Sequence, residues 1–480
     1  MSITNALSNA VSGMSAASRR ADITAHNIAN ATTEGYARQT VDTIHSVAGG
    51  RGDGVRIAPT ARSVDGPLTA SRREAEGQAN GSQAEAASAR TVADTYSNSG
   101  ALFDKIAALE NSLRGVSETP ESVALQERVV ANAGQVADAF GAVSDTIQSE
   151  RTTADKAIGT AVDEVNAALQ EIESLNGAIS AGSIGGFSTA AYEQQRDAQL
   201  DIVSGHMSIR LMSRDNGQVA VLTDKGVTLL DNTARTLEFE RSNVVTADMD
   251  HRAGVGPLSG LSVDGIEIAP GSGNQASDGG LIAGLFEARD GSLVDASTDI
   301  DTLAAEMIDR FEAAGIVGAD GRGLFTDAGS ALSAPAQPGL AGRIALNERV
   351  DSAQGGAAWR IRDGLDAAMQ GSSADSSHAT LMLNAMTEAR SPGGSLSRPA
   401  SMAGLAGDMG SLFETRGQSL ENAAAGDVTR FTTLETAESN VIGVDLDQEL
   451  QNLILIEQAY GANAKVIQVA DRLVQRLLEI

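Results

Sequence analysis

Apolar residues at the start of the chain recur every three or four positions: Ile3, Leu7, Ala10, Met14, Ala17, Ala21 and Ile28 fall on one stripe of a helix. Much of the stripe is alanine, so another helix can approach closely, yet a lone helix of this kind buries too little surface to be stable without cover. A matching stripe closes the chain, through Leu446, Leu450, Leu453, Ile456, Tyr460, Ala464, Ile467, Ala470, Val474 and Leu477. The two ends are therefore predicted to be amphipathic helices that pair as a coiled coil. Stripes at the two extremes of a chain are hard to bury in one globule and easy to bury between copies, so neighbouring subunits are expected to supply further cover.

Between these ends the periodicity changes several times. Gly49-Gly50-Arg51-Gly52-Asp53-Gly54 leads into Val55 and Ile57, which read as an extended segment. Helix returns from about Ser82 to Gly115, with Leu102, Ile106, Leu109 and Leu113 on one face. Pro120, Glu121 and Ser122 then open a very long helix. Its seam runs Val136, Phe140, Val143, Ile147, Ala154, Ile158, Ala161, Val165, Leu169, Ile172, Leu175, Ile179 and stops at Ala181-Gly182-Ser183. At 1.5 Å per residue this is a rod of roughly 90 Å. Gly134, Gly141, Gly159 and Gly177 each cost about 1 kcal/mol against alanine and leave room for a kink or break.

After Ser204 the period falls to two. Ile209, Leu211, Val219 and Val221 alternate around Asp215-Asn216-Gly217, a two-residue hairpin signal, and Leu261, Val263, Ile266 and Ile268 flank a turn at Asp264-Gly265. Leu281, Leu285, Ile300, Leu303, Met307 and Phe311 return to helix, and the Gly-, Ser-, Ala- and Pro-rich stretch 315–410 has no clear period. The expected fold is mainly α with a β insertion. Its parts are a terminal coiled-coil polymerisation domain (1–45 plus 436–480), a long-helix domain (46–204 plus 276–435) and a small inserted β domain (205–275).

Composition narrows the function. The 480 residues suffice for about three domains, and 42% hydrophobic with 20% charged residues indicate globular structure. Only 3% are aromatic, with Trp359 the one tryptophan, which disfavours a compact aromatic-cored enzyme. The net charge of −28 repels phosphate backbones and anionic lipid, so neither nucleic acid nor a membrane surface is an expected partner. Residues 1–50 balance three arginines against Asp22, Glu34 and Asp42, and 445–480 carry −3, so −25 falls on the middle and places it at large radius in any assembly. Without cysteine there are no disulfides, thiolate metal sites or cysteine nucleophiles. The N-terminus has neither a basic region nor an apolar core of a cleaved signal, so either cytoplasmic residence or export by a route that reads none is expected.

No constellation carries catalysis. None of Lys105, Lys156, Lys225 and Lys465 follows a glycine, so no Walker loop is present. His26, His45, His206, His251 and His378 lack metal-site spacing, and no G-x-S-x-G elbow occurs. Asp248-Asp250, Asp299-Asp301 and Asp445-Asp447 do not continue into a calcium loop and are expected to be solvated. Arg51-Gly52-Asp53 is an adhesion tripeptide by spelling only. No catalytic, cofactor or metal residues are assigned.

Asn27-Ile28-Ala29-Asn30-Ala31-Thr32-Thr33-Glu34-Gly35-Tyr36-Ala37-Arg38-Gln39 resembles the N-I-A-N-x-x-T-x-G-Y signature of the flagellar rod, hook and hook-associated protein family. Val444-Asp445-Leu446-Asp447-Gln448-Glu449-Leu450 and Glu457-Gln458-Ala459-Tyr460-Gly461-Ala462-Asn463-Ala464-Lys465-Val466-Ile467 resemble the C-terminal signature of the same family. The long helices of 82–182, Gln194-Gln195-Arg196-Asp197 and the segment Gly279 to Asp290 resemble the hook-associated members more than the hook protein. Glu34 stands where the family often has proline, and Gly461 where a polar residue is usual.

The resemblance implies an extracellular structural subunit joining flagellar hook to filament, not an enzyme, exported without a cleaved signal peptide. It also implies the partners: further copies of the chain in a ring or helical assembly, the hook protein, the next hook–filament junction protein and a flagellar export chaperone on the C-terminal helix. Asn27, Asn30, Gly35 and Tyr36 form the expected assembly motif, since Asn side chains can satisfy backbone groups where a helix ends, glycine permits a left-handed turn and tyrosine anchors the exit. Ile3, Leu7, Met14, Ile28, Leu446, Leu450, Leu453, Ile456, Tyr460, Ile467, Val474 and Leu477 form the expected assembly and chaperone stripe. Alternatives are another axial protein such as the hook protein, or a glycan-active or adhesive surface protein using the β domain.

Overall fold

Four glycines do not interrupt the long helix: in a computed structural model of the chain, Val123–Gly185 is one helix of 63 residues. The propensity loss of about 1 kcal/mol per glycine is outweighed by burial, because every seam residue from Val136 to Ile179 is at most 4% exposed. Gly159 also has a packing role, since the Arg241 side chain crosses it where a Cβ would sit.

The structure describes residues 3–33, 35–48, 51–98, 102–251, 256–270, 277–313, 316–333 and 337–478. In chain order the elements begin α1 (Ile3–Ala29), β1 (Gln39–Thr40), β2 (Thr43–Ala48), β3 (Arg51–Ile57), β4 (Ala61–Arg62), α2 (Gly66–Asn98), α3 (Leu102–Glu118) and α4 (Val123–Gly185). Then come α5 (Ala190–His206), β5 (Ile209–Ser213), β6 (Val219–Thr223), β7 (Thr228–Leu230), β8 (Leu237–Glu238), β9 (Ser262–Val263), β10 (Ile266–Glu267) and α6 (Leu281–Phe286). A π-helical turn, Glu287–Ser292, precedes α7 (Leu293–Ala313), β11 (Phe325–Asp327), β12 (Ile344–Leu346), α8 (Arg360–Asp363), α9 (Ser377–Thr387), α10 (Met402–Ile442) and α11 (Leu446–Leu478). The mainly α character holds.

Two compact units share these elements: Met1–Gln78, Asp163–Leu237 and Asp427–Ile480 form the first, Ala79–Val162 and Glu238–Gly426 the second. This differs from the three-way division expected at 45, 204, 275 and 435. Boundaries fall inside α2, α4 and α10, because each of these helices contributes one part of its length to each core.

In the first unit α1 and α11 pack along each other in antiparallel order, with Gly13 beside Asn463 and Arg38 beside Glu449. The β2–β3 hairpin lies on α1, where the Val55 N–H donates to Ser12 Oγ at 3.3 Å. Gly54, at φ 83°, is required there, since a Cβ would collide with Ser12. Strands β5, β6 and β7 make one antiparallel sheet. Its first turn holds three residues rather than two: Arg214 N–H donates to Gln218 O at 2.8 Å, with Asn216 and Gly217 both at positive φ. Side chains of α4 hold this sheet, as Asn176 Nδ2 donates to Val219 O at 2.8 Å and Ala234 N–H donates to Glu173 Oε2 at 2.7 Å.

In the second unit one core gathers α2, α3, α4, α7, α9 and α10 around Phe140, Met307, Phe311 and Leu405, with Tyr96 edge-on to Phe413. The segment after β8 docks on α4 through polar groups: Ser242 N–H donates to Asp155 Oδ2 at 2.7 Å, and Arg289, wholly buried, pairs with Asp155 at 2.6 Å. Strands β9 and β10 pair around Asp264 and Gly265, both at positive φ. Among the described residues the β region after Ser204 consists of two three-stranded sheets, β5-β6-β7 and β10-β9-β8.

Buried charge ties together described segments of the aperiodic stretch 315–410. Arg310 donates to Ala385 O at 2.8 Å, Glu388 O at 2.7 Å and Ala400 O at 3.1 Å while pairing with Glu306 at 2.8 Å. Asp299 and Asp301 are likewise buried, contrary to the expected solvated face. Asp301 accepts from Gly339 N–H at 2.7 Å and Ala341 N–H at 2.8 Å, and Asp299 pairs with Arg416 at 2.5 Å.

Candidate assembly site

The helix α1 ends in a turn that its own asparagine helps to close. Asn30 Nδ2 donates to His26 O at 2.9 Å, Thr33 N–H donates to Asn30 O at 2.9 Å, and Gly35 takes φ 69°. Asn27, 1% exposed, then clamps the returning chain. Its Nδ2 donates to Gln39 O at 2.9 Å, and its Oδ1 accepts from Gln39 N–H at 2.9 Å and from Tyr36 Oη at 3.0 Å. The four motif residues are therefore brought together as one knot, with Glu34 outside the described residues.

Three other elements hold the knot. Gln194 of α5 accepts from Ala37 N–H at 3.2 Å and donates to Gly35 O. Arg38 donates through Nε to Glu449 at 2.6 Å, and its N–H donates to Ile442 O at 2.8 Å. Glu449 sits in the first turn of α11, where the helix dipole favours an acid, and its side chain is 2% exposed. Burial pushes the Tyr36 phenol above its ordinary pKa, the Glu449 charge adds to this, and Arg62 opposes it. Arg62 pairs with Asp197 at 2.5 Å; behind it Arg72 joins Glu76, Asp201 and Glu438, and Arg73 joins Asp201. Asp445 caps α11 by accepting from Asp447 N–H at 2.9 Å and Gln448 N–H at 3.1 Å.

Gln194, Arg38, Glu449 and Asp197 were not among the expected site residues. Each lies inside a quoted motif, but their pairing across up to 411 positions of chain leaves no local pattern.

The stripe divides on inspection. The covered side of α11 carries Glu449, Ile456, Asn463 and Ala470 at heptad spacing: Glu449 meets Arg38, Asn463 meets Gly13 of α1, and Ile456 and Ala470 are both 4% exposed. Ile3, Met14, Ile28 and Ile467 are half-buried. Leu7, Leu446, Leu450, Leu453, Tyr460 and Val474 are exposed, and the side chain of Leu477 lies outside the described residues. Ile454, Leu455, Val466, Val469 and Leu473 are exposed too, so ten large apolar side chains of α11 face solvent. A helix apolar on nearly every side is one meant to be surrounded. Gly13 permits the close approach of α1, since its Cβ would lie 2.9 Å from the Asn463 amide, whereas Gly461 meets nothing within 4 Å, so the departure there is tolerated.

Among the described residues no group of three His, Asp or Glu could hold a metal ion, and no helix is long and apolar enough to cross a membrane.

A buried polar knot joining the two terminal segments, beside an open apolar helix face, is the arrangement of a helical structural subunit. Comparison with known proteins agrees. The family model described as "Flagellar hook-associated protein FlgK helical domain" matches residues 91–332, "Flagella basal body rod protein" matches 7–36, and "Flagellar basal body rod FlgEFG protein C-terminal" matches 440–480. The chain belongs to the flagellar hook-associated protein family. It is similar to flagellar hook-associated protein 1 of Bacillus subtilis, 24% identical over 98% of this chain and 97% of that one. The protein of the same name from Escherichia coli is 23% identical over 99% of both chains. A solved structure, the flagellar hook junction protein FlgK from Burkholderia pseudomallei, matches 54% of this chain and 46% of that chain at TM-score 0.45 and 18% identity.

Proposed function

We propose that this chain is a structural subunit of the bacterial flagellum that joins hook to filament, with no catalytic step. The observation that carries the reading is the face of α11 left open by α1, with ten exposed large apolar side chains next to a rigid motif knot. Copies of the chain bury these faces against one another, so completion of the terminal helix bundle is coupled to polymerisation. Hook protein packs on one side of the resulting assembly and the next junction protein on the other. Before export, an export chaperone covers the same face of α11. The near-neutral N-terminal segment lies toward the axis and the acidic middle outward.

The test is genetic. A strain lacking the gene is expected to make hooks without filaments and to regain filaments when the wild-type chain is supplied. Loss of hooks altogether would assign the chain to the hook instead, and unaffected filaments would refute the junction role.

A further inference from the structure

The first unit carries a second apolar feature, at the turn between α4 and α5. Ile184 is 73% exposed and Phe187 74%. Neither sits on a loose loop. Phe187 N–H donates to Gly182 O at 2.9 Å and Gly186 N–H donates to Ser183 O at 3.2 Å, with Gly186 at φ 70°, the paired bonds that end a helix on a left-handed glycine. A Cβ on Gly185 would lie 2.8 Å from the Phe187 ring, so the ring rests across the helix backbone. An exposed aromatic held in this way offers contact area with little rotamer freedom left to lose.

The tip belongs to the C-terminal end of α1, because Gln194, near the start of α5, is bonded to Gly35 and Ala37. At the opposite end of the same helix pair, Ile3, Ala6, Val466, Val469 and Leu473 line an apolar groove of about 460 Å³. Among the described residues its only charged lining residue is Lys465, which makes no ion pair with any of them. Glu193 lies beside the tip: its carboxylate accepts from Thr189 Oγ1 at 2.7 Å, and the Thr189 methyl would lie 2.9 Å from a Cβ on Gly182. Twenty-seven residues of α1 separate groove from tip, roughly 40 Å at 1.5 Å per residue.

A knob and a groove at opposite ends of one rod cannot meet within a chain; between chains they meet head to tail. We infer that the Ile184–Phe187 tip of one copy seats in the α1–α11 groove of the next, with Glu193 facing Lys465. Being heterologous, the contact repeats from copy to copy and sets the direction in which the assembly closes or climbs. The inference rests on the self-assembly proposed above and adds a contact that the terminal helices alone do not supply.

Because the chain has no cysteine, single-thiol variants report the contact cleanly. Phe187→Cys and Val469→Cys chains are produced together in a strain lacking the native gene, and isolated flagella are oxidised with copper phenanthroline. A disulfide-linked dimer of one variant with the other is expected. Dimers of Phe187→Cys with itself, or equal yield when exposed Met369→Cys replaces Val469→Cys, would overturn the contact. Separately, Ile184→Asp with Phe187→Asp should lower incorporation about tenfold or more with unchanged circular dichroism. If this variant is incorporated like wild type while charge on the α11 stripe blocks assembly, the tip contact is wrong and the terminal-helix reading stands. If both variants are incorporated normally, the terminal-helix reading itself fails.

Discussion

Placing charge on the open face of α11 separates folding from assembly. Leu453 is 38% exposed and Ile467 half-buried in the free chain. Burying a leucine or isoleucine completely is worth about 1.5–3 kcal/mol, so the part of Leu453 still facing solvent contributes about 1 kcal/mol when a neighbour covers it. Aspartate forfeits that gain and adds an unpaired carboxylate, whose burial costs several kcal/mol. For Leu453→Asp with Ile467→Asp the penalty on assembly is about 4 kcal/mol or more, a loss of about a thousandfold in affinity. In the free chain both carboxylates can reach water, and the cost there is about 1–2 kcal/mol of lost packing. The variant is thus expected to keep its helical circular dichroism, to lose chaperone binding in a pull-down and to be absent from isolated flagella by immunoblot. Asp at exposed Gln451 and Gln468 is the matched control. Chaperone capture and wild-type incorporation of the stripe variant would refute the reasoning and make α11 an internal core helix.

Asn27→Ala removes three hydrogen bonds from a buried site; a local loss of about 2–4 kcal/mol should appear as faster amide exchange over residues 35–40, and unchanged protection would refute the clamp. Glu449→Gln leaves Arg38 without its acid, so α11 should open more readily by about 1–3 kcal/mol and the Tyr36 phenol should titrate at lower pH, since the Glu449 charge helps to raise it. Asp301 and Glu306 have pKa values raised chiefly by burial. Folding therefore takes up their protons, and stability from these groups is present below the ordinary carboxylate range near 4–4.5 and lost as pH rises through their folded values. Asp363, lowered chiefly by its hydrogen bond to Arg362, acts in the opposite sense below that range. The melting temperature should consequently rise from pH 7 toward about 5 and fall again below about 4; a monotonic fall on acidification would contradict the burial of Asp301 and Glu306.

Much of this protein is local enough to be written in its periodicity. The seam of α4 reads directly as three-and-four spacing, and burial confirms each position from Val136 to Ile179, because an amphipathic helix needs no distant residue to define its face. The end of α1 is legible for the same reason: Asn30 bonds to His26 four residues away, and Gly35 takes the left-handed turn only glycine adopts freely. What periodicity cannot give is which partner an apolar residue meets. The C-terminal stripe mixes Ile456, covered by α1, with Leu450 and Tyr460, left open, because on a helix apolar nearly all round spacing does not single out the covered side. Ion pairs are harder still. Arg38 with Glu449 and Arg310 with the carbonyls of 385, 388 and 400 join distant segments, and any arginine in so acidic a chain has many acids to choose from. The sequence by itself determined the long seam helix, the two terminal helices and the motif at each end; only the tertiary structure decided where the other helices start and stop, as with α2, α3 and α10, and which faces are buried, since that depends on the three-dimensional approach of segments hundreds of residues apart.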